Sequence, residues 1–187
     1  MKTLNFLILA LTLSALACKN DKKSAEISTN APSEIPKTLK ITLNAKSNTE
    51  VSGNAVFSEE DGIVTLTAVV SGLNPGGTHA IHLHEKADCS SDDGTSAGGH
   101  WNPTAEPHGK WGDKAGYHKG DIGNFIADEN GNGSITFATN QWCIGCEDDN
   151  KNIIGKSVIV HAGEDDFTSQ PTGAAGARVS CAGIIEY

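Results

Sequence analysis

From Thr38 onward, apolar and polar residues alternate in short runs separated by turn residues. LKITLNA, NAVFSEE, IVTLTAVVSGL, HAIHLHE, NFIADENGNGSITFATN, KSVIVHA and RVSCAGIIEY read as strands or hairpins on this period of two. Gly53, Asp61-Gly62, Asn74-Pro75-Gly76-Gly77 and Asn130-Gly131-Asn132-Gly133 supply turn chemistry, including positions suited to positive φ. No stretch holds a helical period over a useful length. The pattern predicts an all-β domain, an antiparallel sandwich or barrel with long loops between some strands.

One strand pattern is unusual, because HAIHLH places three histidines in an apolar run. In a strand, positions i and i+2 share a face, so His82 and His84 point one way and His79 the other. His79 alone is expected to be an ordinary buried, hydrogen-bonded imidazole. Two imidazoles buried side by side need a common partner, which a transition metal provides. The connection from Glu85 to about Ile122 is far longer than a hairpin loop and poor in aliphatic residues, so something other than an apolar core must hold it. It carries His100, His108, His118 and Asp121, a donor set suited to tetrahedral zinc. His161 ends the apolar run KSVIV and adds another imidazole. Six histidines and one aspartate exceed what one four-coordinate ion can use, so two ions are implied, sharing one imidazole that binds through both nitrogens.

The chain has 187 residues, enough for one domain plus processing segments. Residues 1–17, ending in Ala15-Leu16-Ala17, have the charged start, short apolar run and small residues of a secretory signal. The same segment resembles a bacterial lipoprotein box, which makes Cys18 a candidate lipidation site; simple secretion cuts at the same place. Residues 18–36 are polar, with two prolines and no sustained period, and read as a flexible tether. Residues 37–187 are then the folded domain. The expected location is outside the cytoplasm, periplasmic or held at the outer membrane through lipid. A net charge of -9 with scattered lysines excludes non-specific nucleic-acid binding. Apart from Cys18 there are four cysteines, Cys89, Cys143, Cys146 and Cys181, an even number suited to an oxidising compartment. Two disulfides are expected; three pairings are open, and spacing does not choose among them.

HAIHLHE with the following Cys89, GGHWNP, HKGDIGN, VIVHAGEDD and GAAGARVSCAGIIEY, in this order, resemble the copper/zinc superoxide dismutase family over nearly all of residues 38–187. The resemblance implies a Greek-key β-sandwich or barrel with long metal-binding and electrostatic loops. It implies copper ligands at His82, His84, His100 and His161, and zinc ligands at His100, His108, His118 and Asp121, with His100 bridging. Arg178 matches the residue that attracts and orients superoxide, Asp165 a carboxylate bonded to ligands of both metals, and His79 a structural imidazole behind the copper ligands. Cys89 matches the partner of Cys181. The implied activity is conversion of superoxide to oxygen and hydrogen peroxide. A non-enzymatic copper/zinc-binding domain of the same fold is the alternative; a monomer and a homodimer both occur in the family.

Two features depart from the pattern. Many members carry a lysine after the last copper ligand, where this chain has Gly163, Glu164, Asp165 and Asp166, so Lys110, Lys114 and Lys119 become the candidate steering cations. The Cys143-Ile144-Gly145-Cys146 segment is outside the common family core. A local disulfide is the expectation for it, with a redox-active pair or a small metal site as alternatives. Trp101, Trp111 and Trp142 are expected to pack rather than to touch substrate.

Overall fold

The computed structural model describes residues 37–186, so the readings of residues 1–17 as a signal, of 18–36 as a tether and of Cys18 as a lipid acceptor lie outside the described residues. Eight strands follow one another: β1 (Lys37–Ala45), β2 (Ser52–Glu60), β3 (Ile63–Ser71), β4 (Thr78–His84), β5 (Asp121–Ile126), β6 (Gly133–Thr139), β7 (Ser157–His161) and β8 (Arg178–Gly183). Among the described residues the only helical element is one short 3-10 turn, Thr95–Ala97. All strand pairs are antiparallel, in the order β5-β4-β7-β8-β1-β2-β3-β6. β6 returns beside β3 and β7 beside β4, the two crossovers of a Greek-key order. Two four-stranded halves are joined where β1 meets β8 through only Asn44–Cys181 and Ala45–Ser180. The all-β antiparallel fold expected from the alternation is observed, and of sandwich and barrel it takes the form of a nearly closed barrel.

Alternation explains the first half directly. In β3, Val64, Leu66, Ala68 and Val70 are buried while the residues between them face outward. They meet Ile41 and Leu43 of β1 and Ala55 and Phe57 of β2 in one apolar core with Ile81, Leu83, Trp142 and Ile184. Each large aliphatic or aromatic side chain buried in this way contributes about 1.5 to 3 kcal/mol.

The stretch read as strands or a hairpin at 124–140 is two strands that diverge. β6 forms seven pairs with β3, and β5 pairs with β4. Between them the only strand-type pairing is a single bridge of Ala127 with Gly133 beside the turn at 128–132. Phe125 accounts for part of this, because its ring packs so closely over Gly133 that an added Cβ would lie 2.6 Å from the ring. The seam is therefore closed by an aromatic side chain rather than by a ladder.

β4 breaks the alternation, since six of its seven residues are buried, on both faces. Ile81 and Leu83 point into the core. His82 and His84 lie on the other face, which the two long loops, 85–120 and 162–177, cover. Leu83 N donates to Gly120 O at 2.9 Å and Trp101 N donates to Leu83 O at 2.9 Å, so the first loop is stitched to the strand carrying the histidines. The disulfide Cys89–Cys181 pins the same loop to β8. Cys143 and Cys146 form the second, local disulfide expected for that segment. Trp101 and Trp142 are buried, and Trp111 meets Phe137 edge to face with ring centroids 4.8 Å apart, so all three tryptophans pack.

Candidate metal centre

Two register shifts aim the strand ligands. One lies between Ile81 and His82 and the other between Val160 and His161, and a bulge bends a strand and redirects the side chain next to it. His100 arrives from the first loop through an antiparallel bridge with His84. Asp121 opens β5, and His118 sits three residues before it, with its N–H donating to Asp121 Oδ2 at 2.8 Å. His108 comes from the exposed middle of the loop.

These side chains converge in two groups, His82, His84, His100 and His161, and His100, His108, His118 and Asp121, each offering ligand atoms within 4.8 Å of one another. All seven side chains are buried, and His100 belongs to both groups. In the first group each imidazole has one nitrogen committed. His82 Nε2 donates to Asp165 Oδ2 at 2.8 Å, His84 Nδ1 to Gly98 O at 2.9 Å, His161 Nδ1 to Gly176 O at 3.2 Å and His100 Nδ1 to Asp121 Oδ1 at 2.8 Å. The other nitrogens, His82 Nδ1 and the Nε2 of His84, His100 and His161, are buried without any partner. Four buried lone pairs with nothing to accept are costly unless a cation collects them, so the donor set fits a transition metal. In the second group the Nδ1 atoms of His108 and His118 lie 3.0 and 3.2 Å from the Asp121 carboxylate, a nitrogen and oxygen set that fits zinc.

The electrostatics agree with this division. Burial, helped by neighbouring imidazoles, pushes His100 down to about 4, His161 down to about 3 and His84 well below the usual range. At neutral pH their lone pairs are free. Burial alone would also lower His108, but the Asp121 and Asp165 carboxylates outweigh it and hold this imidazole up to about 9. Burial would raise Asp121 and Asp165, yet hydrogen bonds from the imidazoles keep both well below the ordinary carboxylate range. A metal held by the second group would have to displace that proton from His108.

Around the groups lies a second layer. Asp165 spans both, accepting from His82 Nε2 through Oδ2 and from His108 Nε2 through Oδ1, each at 2.8 Å. Asn124 holds its main chain, accepting from Asp165 N and donating to Asp165 O at 2.8 Å. His79 donates through Nδ1 to His161 O at 2.9 Å, behind the first group. Arg178 is half-buried and donates to Gly94 O at 2.7 Å and Gly98 O at 2.8 Å. Burial lowers its pKa and Asp93 counters that, but a guanidinium stays charged. It lines a groove with Ser47, Asp93, Thr95, Gly176 and Ala177.

None of the candidate steering lysines lines this groove. Lys110 sits 5.9 Å from the Phe167 ring, Lys119 is tied to Gln141, and Lys114 and Lys119 share a different groove with Glu106 and Asp113. Sequence reasoning also missed Gly98 and Gln170, which bond to His84 and His108, Asn124, which holds the main chain of Asp165, and Gly173, which lies against Asp165 and His108. The pair Gly98-Gly99 and the small-residue stretch Gly173-Ala174-Ala175-Gly176 were the one signal available for the two glycines.

Residues 51–184 match the family described as copper/zinc superoxide dismutase. The chain belongs to the copper/zinc superoxide dismutase family. A member from Paramecium bursaria Chlorella virus 1, "Superoxide dismutase [Cu-Zn]", is 38% identical over 143 residues, 73% of either chain. Among solved structures, a SOD-like protein from Bacillus subtilis superposes with a TM-score of 0.70 at 26% identity, covering 78% of this chain and 97% of that one. The clock protein EA4 gives a TM-score of 0.67 at 34% identity, covering 80% and 96%. Copper and zinc are the metals of this family, and the two buried histidine clusters suit metal binding.

Proposed function

We propose that this chain dismutes superoxide, with His82, His84, His100 and His161 holding copper, and His100, His108, His118 and Asp121 holding zinc. The observation that carries the reading is His100, whose Nε2 faces the first group unpaired while its Nδ1 faces Asp121 in the second. Bound there, copper would supply a one-electron couple for exchange between two superoxide molecules, and zinc a fixed charge. The protein does the rest. Arg178, the one cation lining its groove, draws the anion in and orients it. His100 Nε2 accepts a proton when it is not engaged and passes it to the reduced dioxygen, which takes a second proton from solvent to become hydrogen peroxide. Asp165 keeps His82 and His108 oriented, and His79 backs His161. The Cys89–Cys181 bridge holds the loop whose Gly94 and Gly98 carbonyls seat Arg178.

We further infer export, on the strength of residues 1–17, Cys18 and the polar tether at 18–36. Both disulfides suit an oxidising compartment. Among the described residues no helix is long and apolar enough to cross a membrane. Lipid at Cys18 would hold the exported chain at the outer membrane.

The test is superoxide dismutation by the full chain loaded with copper and zinc, beside His161→Ala and Arg178→Ala. Activity lost without His161, and reduced without Arg178 at unchanged metal content, supports the enzyme. Metal uptake in the expected ratio with dismutation no faster than in His161→Ala identifies a metal-holding relative instead.

A further inference from the structure

Gln170 belongs to neither donor group and is exposed in the loop between β7 and β8. Its side-chain amide nevertheless closes a two-point pair with the main chain of His108. His108 N donates to Gln170 Oε1 at 2.9 Å, and Gln170 Nε2 donates to His108 O at 2.9 Å. A primary amide offers an acceptor and a donor side by side, so it can copy the pairing one strand residue makes with another. The pair fixes the peptide planes on both sides of His108, and with them the direction of its Cα–Cβ bond.

The same loop sets the imidazole. His108 Nε2 donates to Asp165 Oδ1 at 2.8 Å, under a turn at Gly173 that leaves no room for a side chain. Three bonds from residues 165–170 thus decide where His108 Nδ1 points. Before it, Thr104, Ala105, Glu106 and Pro107 are all exposed, and the Asn102 amide clamps the main chain of Glu106, two residues short of His108 itself. After it, Gly109 N donates to Asp121 Oδ2 at 3.2 Å, a contact inside the donor group itself. The other members of the group are secured differently. His118 is bonded to Asp121 through its own N–H, Asp121 opens β5, and His100 bridges to β4.

We propose that Gln170 is a positioning residue for zinc, setting the affinity of the His108 group through the main chain rather than by touching the ion. The inference rests on the reading of His100, His108, His118 and Asp121 as the zinc group. Because the clamp joins the two long loops, zinc binding and ordering of residues 162–177 are linked, each favouring the other. That loop also supplies Gly176 and Ala177 to the Arg178 groove.

The experiment compares the full chain with Gln170→Ala, Gln170→Glu and the exposed neighbour control Thr168→Ala. Zinc and copper affinities are each read by competition with a chromophoric chelator, and thermal unfolding is followed in the metal-free state. Gln170→Ala is expected to raise the zinc Kd by about 10- to 100-fold, the usual cost of losing an outer partner of a ligand. Copper affinity is expected to stay at the wild-type level. Gln170→Glu falls between, since a carboxylate still accepts from His108 N but has no proton for His108 O, and Thr168→Ala matches wild type. Unchanged zinc affinity in Gln170→Ala overturns the proposal. Equal weakening of both metals alongside a lower metal-free midpoint also overturns it, because that is the signature of a merely structural residue. A wild-type chain that takes up copper but no zinc overturns the zinc-group reading, and the proposal with it.

Discussion

Replacing Gly173 by alanine strikes the contact that ties the two donor groups together. Gly173 has φ +68°, and an added Cβ would fall 1.8 Å from Asp165 Oδ1 and 2.6 Å from His108 Nε2. Asp165 cannot retreat, since Asn124 grips its main chain and Phe167 N donates to Oδ1 at 2.7 Å. Two costs add. A side chain in the left-handed region costs about 1 to 2 kcal/mol. Loss of the charged Asp165–His108 hydrogen bond costs about 1.5 to 3 kcal/mol. The sum is about 3 to 5 kcal/mol, or about 6 to 20 °C in the midpoint of a domain of this size. Gly76 provides the control, because its φ is +69° and nothing lies within 4 Å of an added Cβ. Gly76→Ala should carry the backbone cost alone, about 2 to 8 °C. The assay is thermal unfolding of both metal-free variants, followed by zinc content after loading. Equal midpoints and equal zinc in the two variants refute the reasoning.

Other outcomes follow from the same geometry. In the metal-free protein His84, His100 and His161 are depressed from 6.5, the latter two to about 4 and about 3, so the stability they contribute is present above 6.5 and lost as pH falls towards those values. His108, held up to about 9, contributes in the opposite sense, its stability being complete below 6.5 and lost as pH rises through about 9. Urea midpoints of the metal-free chain should therefore decline from pH 6.5 to pH 4; a midpoint that rises on acidification is incompatible with this balance. Opening the Cys89–Cys181 bridge, which spans 92 residues, should destabilise the chain by about 4 to 5 kcal/mol in the chain-entropy view, measured by denaturant unfolding of Cys89→Ser. Trp142→Phe removes the donor to Lys119 O, a bond of 2.8 Å beside His118, and should cost about 1 to 3 kcal/mol in unfolding free energy. No change in that variant would mean that water replaces the indole.

Legibility in the sequence divides along physical lines. β3 announced itself because one face meets the core and the other meets water, so its apolar period survives in the letters. β4 was legible for the opposite reason, since histidines stand where its second face is covered by loops. What two side chains do to the same ion can be read from their parity; which strand pairs with which cannot. The stretch at 124–140 shows this, because its turn chemistry is local while the pairing of β5 with β4 and of β6 with β3 is set by the closure of the barrel. Gln170 and Asn124 were invisible for a related reason. An amide clamping another residue's main chain leaves no mark at its partner's position, since every residue has an N–H and a C=O. Lys119 was misleading in the same way, its charge being visible and its tie to Gln141 not.

One carbonyl has evolutionary weight. Gly98 O receives both His84 Nδ1, at 2.9 Å, and Arg178 Nη2, at 2.8 Å, so an imidazole of the first donor group and the half-buried guanidinium share a single anchor. Being main chain, that oxygen cannot be deleted by a codon change. A side chain at 98 is itself disfavoured, with φ +79° and Glu85 Oε2 2.6 Å from an added Cβ. Drift can replace the arginine or the histidine, but it cannot readily remove the point at which the two are joined. Descendants of this chain that lose metal or charge would thus be expected to keep the loop path around Gly98, leaving a recognisable scar of the ancestral site in a protein that no longer uses it.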